Sequence, residues 1–198
     1  MWYNYFINPF PEIQGAFVEL KNLKSKKNII KKIKLYNQKS RVEYKDTMTD
    51  LLTNDKLRHL DNYRQHYKCT RLKHSINVSY YSFYIAKLLR LNYLSAAKAG
   101  LLHDLYFHEK SGFKENMKML RQHPKDALRN AMEICDLNAM ECDIIIRHMW
   151  LITLKPPKYK EGYIVTFVDK YCAAREFFSS VFFKNFSRKS YIRMNKFY

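Results

Sequence analysis

Four of the seven histidines and two of the aspartates are of types that can bind metal ions and stand at separate positions along the chain: His74, the pair His103 and Asp104, then His123, His148 and Asp169. Imidazole and carboxylate together suit zinc, iron, manganese, nickel or cobalt, and no thiolate belongs to the set. Each position falls on a separate stretch with helical patterning. Ligands arriving from successive helices are how a helical bundle builds a metal centre in its core. These spacings predict a buried cluster, provided that the helices bring their ligand-bearing ends together.

The elements that must do this can be read from apolar spacing and punctuation. Leu72 to Leu91 carries Ile76, Phe83 and Leu88 at helical intervals and is expected to end near Asn92. Ser95 is an expected N-cap for a helix through Ala96, Ala97 and Ala99 to His103 and Asp104. Pro124 suits the first turn of a helix through Ala127, Ala131 and Ile134. Asn138, or a residue just after it, opens a helix through Ile144, Ile145 and Ile146 to His148. Pro156 and Pro157 interrupt the chain, and a last helix is expected from about Gly162 to about Phe178. A short helix is expected over Thr47 to His59. Ahead of it, Lys21 to Lys34 reads as a basic helix whose isoleucines face a core, with a surface role on nucleic acid or membrane as the competing reading. Met1 to about Val18 reads as an irregular aromatic arm.

Composition supports an all-α chain. Four glycines and five prolines in 198 residues leave little material for the turns of a many-stranded sheet. Hydrophobic residues make up 47%, enough to build a sizeable core and to argue against wholesale disorder. The formal charge of +18 attracts anions. A solvated basic surface accounts for it equally well. Cys69, Cys135, Cys142 and Cys172 form no C-x-x-C pair, which reads as buried thiols in a reducing compartment. No signal peptide or run of 18 apolar residues is present in the sequence, so a cytoplasmic location is expected.

Thr70-Arg71-Leu72-Lys73-His74-Ser75 and Ala99-Gly100-Leu101-Leu102-His103-Asp104 resemble the opening motifs of the HD-domain phosphohydrolase superfamily. His123-Pro124 with Ala127 is similar to its H-P-x-x-A element, and Ile144 to His148 to its I-x-x-H helix. Val165 to Lys170, with Glu176 downstream, is similar to its closing V-x-x-x-D-K helix. The resemblance covers about Arg71 to Glu176. It implies an HD-domain helical bundle over residues 70–178, preceded by an arm and basic helices over 1–69 and followed by a basic aromatic tail over 179–198.

The resemblance also implies roles. His74, His103, Asp104 and Asp169 would hold a first metal. His123 and His148 would hold a second, with Asp104 bridging the two, and iron or manganese fit such sites better than zinc, cobalt or nickel. A metal pair lowers the pKa of a shared water, and the hydroxide formed attacks phosphorus in line with the leaving oxygen. Basic groups then offset phosphoryl charge. Arg71, one helical turn before His74, is the first candidate and Lys170 the second. Lys73, Lys125 and Arg147 also neighbour ligands, but adjacent residues on a helix point about 100° apart.

The expected substrate is a small anionic phosphate ester, a nucleotide or a relative of one. Small bacterial HD hydrolases that split dinucleoside tetraphosphates are similar in size and in the two added histidines. Neither the glycine and lysine that follow the H-D pair in many dinuclear phosphodiesterases nor the G-Y-P signature of cyclic-dinucleotide enzymes is present, which argues against cyclic di-GMP. His108 is a further pocket candidate, whereas His59 and His66 read as surface or packing residues. Trp150, Tyr106 and Tyr163 read as core or as platforms for a base. Two alternatives share these residues: a mixed-valence di-iron oxygenase, and a non-catalytic basic module that binds nucleic acid around a structural metal. No nucleic-acid reader motif supports the last, and oligomerisation is compatible with all three.

Overall fold

A computed structural model describes residues 23–66, 69–108 and 113–194, and the aromatic arm up to Val18 lies outside them. Among the described residues the fold is all-α with one two-stranded sheet, and the chain divides into two compact units, Met1–Thr53 and Asn54–Tyr198. In the first unit, helix α1 spans Leu23–Thr53. Ser40, Tyr44, Met48 and Leu52, four residues apart, form its buried side. The expected short helix over Thr47 to His59 is not separate: its first half is the end of α1. Asn54 then breaks the path, and its side chain caps α2, Asp55–Arg58, by accepting from the amides of Lys56 and Leu57.

The second unit continues through a 3-10 turn, His59–Asn62, into a small antiparallel pair that the sequence did not announce. Strand β1 is Arg64–His66 and strand β2 is Cys69–Thr70. Helix α3, Arg71–Leu88, follows at once, with Thr70 as its N-cap. It ends through Arg90, which takes a left-handed conformation at φ 56° although it is not glycine. Helix α4, Tyr93–Leu102, begins earlier than expected, because Asn92 rather than Ser95 is the cap. Ser95 is the residue whose amide is capped, and its hydroxyl donates to Glu141.

Helix α5 spans Phe113–Met132, with Pro124 inside it rather than in its first turn. The expected start was therefore too late by more than two turns. Helix α6, Ala139–Arg147, opens with a full capping box: Asn138 accepts from the amide of Glu141, whose side chain accepts from the amide of Asn138. A single turn, α7, covers Trp150–Thr153. After the Pro156-Pro157 break, α8 runs Lys160–Met194, well past the expected end. Among the described residues no helix is long and apolar enough to cross a membrane.

In this unit α3 packs on α4 and α8, and α4 and α5 both pack on α6. The α3–α4 contact is close because Gly100 faces the α3 backbone. A Cβ at Gly100 would lie 3.2 Å from the Cα of Ser79, and Ser79 donates across the same contact to the Ala97 carbonyl at 2.7 Å. Alanines 96, 97 and 99 are fully buried on α4 and let the helices approach. Replacing Gly100 with Val should therefore push α3 from α4 and cost about 1–3 kcal/mol of stability, read as a lower urea midpoint.

Candidate metal centre

Helices α3, α4, α5, α6 and α8 deliver His74, His103-Asp104, His123, His148 and Asp169 to one buried place. None of these side chains is more than 8% exposed. His103 and His148 arrive in the same way. Each is the C-cap of its helix, α4 and α6 respectively. Each donates Nδ1–H to the carbonyl three residues back, Gly100 for His103 and Ile145 for His148, both at 2.8 Å. The bond satisfies a helix-end carbonyl and fixes the tautomer, leaving Nε2 with its lone pair aimed into the cluster. Two helix C-termini, the negative ends of their dipoles, thus face a position suited to cations.

Two overlapping triads result. Ligand atoms of His74, His103 and Asp169 lie within 4.8 Å of one another, and so do those of His103, Asp104 and His148. His74 Nε2 is 3.0 Å from Asp169 Oδ1, and His103 Nε2 is 3.7 Å from the same oxygen. Asp104 turns Oδ2 toward His103 Nε2 at 3.6 Å, while its Oδ1 is 3.4 Å from His123 Nε2 and 3.7 Å from His148 Nε2. His123 and His148 meet Nε2 to Nε2 at 2.9 Å.

The donor set fits a metal ion. Ligand atoms about 2.1 Å from one ion, at ordinary coordination angles, are separated by about 3.0–3.6 Å. His103 Nε2 is buried and has no hydrogen-bond partner, a costly state for a core nitrogen that an ion would relieve. Behind His74, Glu176 accepts from Nδ1–H at 3.1 Å, the carboxylate–histidine arrangement that orients metal-binding imidazoles. Asp169 and Glu176 are seven residues apart, two turns of α8, so they face the same side. That spacing is present in the sequence, but the pairing of Glu176 with His74, 102 positions away, is a tertiary contact.

The electrostatics follow from this crowding. Burial disfavours the His74 cation, but hydrogen bonds to Asp169 and Glu176 outweigh it and raise the group from 6.5 to about 10. His103 is raised against burial, chiefly by Asp104. His148 moves the other way, to about 3, through burial and then the positive fields of His103 and His123. Burial would raise both carboxyls. Asp104 is nevertheless held well below its ordinary range by His103, His123 and His148, and Asp169 by its contacts with His103 and His74.

The basic candidates divide. Lys170 reaches the rim, with Nζ 2.8 Å from Asp169 Oδ2 and 3.3 Å from the Met149 sulfur, and it is partly exposed. Arg71 is fully buried and does not enter the cluster. Its guanidinium donates to Gln65 Oε1 and to the carbonyls of Tyr106 and His108, and it stacks 3.7 Å over the Tyr106 ring. Arg147 is occupied by Asp143 and the Pro156 carbonyl, and Lys125 is exposed.

His108 points away, exposed, with Nε2 3.8 Å from Asp126. His59 packs against Tyr63 and Phe107, and the His66 side chain lies outside the described residues. Tyr106 is buried against His123, whereas Trp150 and Tyr163 meet edge to face at 5.9 Å. Cys69 and Cys172 are buried thiols and are not members of either triad. Set against known proteins, the chain matches no protein-family model, no curated protein and no solved structure.

Two pH effects follow for the metal-free protein. The folded state keeps His148 neutral down to about 3, whereas an unfolded histidine takes up its proton near 6.5. Stability should therefore fall as pH drops from 6.5 toward 3, and His148→Asn should flatten that slope in urea midpoints. His74 has the opposite sign: its stabilising proton is present below 6.5 and lost as pH rises through about 10. Metal uptake at pH 7 should consequently expel about one proton from His74. Titration calorimetry in buffers of different ionisation enthalpy measures this, and His74→Ala should lower the number of protons released.

Proposed function

We propose that this protein is a metal-dependent phosphohydrolase of the HD-domain type, acting on a nucleotide or a related phosphate ester. The observation that carries the reading is the pair of overlapping buried triads sharing His103, built by separate helices from the residues of the H…HD…H…H…D series. His74, His103, Asp104 and Asp169 would hold one ion. His123 and His148 would hold another, with Asp104 between them, since its two oxygens face the two histidine groups separately. Imidazole and carboxylate without thiolate favour iron or manganese. A bound metal pair would supply Lewis acidity and a water activated near neutral pH.

The chain's own groups then have distinct tasks. Glu176 and the Gly100 and Ile145 carbonyls hold the imidazoles in their ligand orientations. Lys170, charged and partly exposed beside Asp169, is placed to meet an anionic substrate at the rim. Arg71 works through its neighbours, because its donors are spent inside the fold. The basic balance of the whole chain raises the local concentration of anionic substrates.

The test is metal analysis of protein purified without oxygen, beside Asp104→Ala, followed by a phosphoester and dinucleotide screen. The expected result is about two equivalents of iron or manganese, lost in the variant together with phosphate release, and hydrolysis that needs no oxygen. Product formed only with oxygen and a reductant would move the reading to oxygenase chemistry. No metal, and none taken up on incubation, would end it.

A further inference from the structure

Asp104 is the carboxylate that stands between His103 and the pair His123 and His148 in the proposed metal centre, and something must fix its rotation. A bare aspartate at the end of a helix turns about χ2 with little resistance. Gln65 on β1 meets it from outside the ligand set, with Nε2 2.7 Å from Asp104 Oδ2.

The direction of that bond is decided by Arg71. A guanidinium carries only donors, whereas a carboxamide has one oxygen that accepts and one nitrogen that donates. Arg71 Nε lies 3.2 Å from Gln65 Oε1, so the oxygen must face the arginine and the NH2 must face Asp104. Arg71 is itself immobile. Its Nη1 and Nη2 donate to the carbonyls of Tyr106 and His108, in the segment that leaves Asp104, and its plane lies against the Tyr106 ring. The amide of Asn130 holds Leu105 in the same segment at 2.8 Å. The result is a bracket running from Arg71 through Gln65 to Asp104, closed on itself through the backbone after Asp104.

We infer that Gln65 is a positioning residue for the metal centre, its amide N–H setting the rotation of the Asp104 carboxylate through a chain of hydrogen bonds anchored by Arg71. The N–H occupies one lone pair of Oδ2. It leaves the other, and both of Oδ1, directed toward His103 on one side and His123 with His148 on the other. Without it, the carboxylate is free to turn both oxygens to one histidine group at the expense of the other. Arg71 thereby acquires a task at a distance from the reacting atoms, in place of contact with a phosphate.

This inference rests on the metal reading above and can be separated from it. The full chain is stripped of metal and titrated with cobalt(II), whose visible spectrum reports ligand number and geometry, for the natural protein and for Gln65→Met. Methionine keeps the length of the side chain and removes the N–H. Circular dichroism of the metal-free proteins is the control for folding. The expected result is cobalt affinity about 10–100-fold weaker, an altered spectrum, and an unchanged metal-free fold. Gln65→Glu keeps the acceptor for Arg71 while deleting the donor, so it should also change the cobalt spectrum even if the methionine variant folds poorly. Natural affinity and spectrum in both variants would overturn the inference and leave the metal centre standing. A natural protein that binds no cobalt would remove both.

Discussion

Burying a carboxylate in a helical core costs several kcal/mol unless countercharge and hydrogen bonds are brought in with it. This fold buries two, Asp104 and Asp169, in one place, and much of its second unit is arranged around that demand. Four imidazoles surround the pair, Lys170 approaches from the rim, and Gln65 donates from the strand side. Glu176 adds a third carboxylate behind His74, and with Asp169 it raises that imidazole above its ordinary range. The balance is local and incomplete, since His103 Nε2 is left without a partner at the centre. A divalent ion would give that nitrogen a partner.

The same demand explains how the helices are cut. α4 and α6 stop at His103 and His148, so helix-end carbonyls that would otherwise want water hold the histidine ring instead. At their other ends the two helices are tied by a separate polar knot. Ser95 donates to Glu141, Asn138 donates to Ser95, Lys98 pairs with Glu141, and Glu161 at the head of α8 accepts from the Asn92 amide. Between knot and cluster lie small side chains and the Gly100–Ser79 contact, which keep the helices close enough for the ligand atoms to meet.

What could be read in the sequence was what helices carry locally. The six ligand-type residues stood out because each lies at a recognisable place on a periodic stretch, and the structure gathers all six. Asn138 and the double proline were legible because caps and breaks act over three or four residues. The cap at Asn92 was missed because Ser95 is an equally good capping type, and only the pairing of Ser95 with Glu141, far along the chain, decides between them. Pro124 suits a helix start, because that is where proline costs least, whereas the helix runs through it. Gln65 lay on a three-residue strand whose sequence has no alternation to reveal it. Arg71 looked like a phosphate ligand from its spacing to His74; its spending on Gln65, Tyr106 and His108 depends on tertiary contacts that spacing does not encode.

The partners in this cluster are far apart along the chain: 95 positions separate His74 from Asp169, and 102 separate it from Glu176. During synthesis, α3 and α4 emerge with their histidines long before the carboxylates of α8 exist to meet them. Contacts of such long range form late in folding, after the loops between them have been closed. A nascent chain therefore offers a passing metal only a weak, incomplete set of ligands. Under the proposed metal reading, the complete ligand set would exist only in the finished fold.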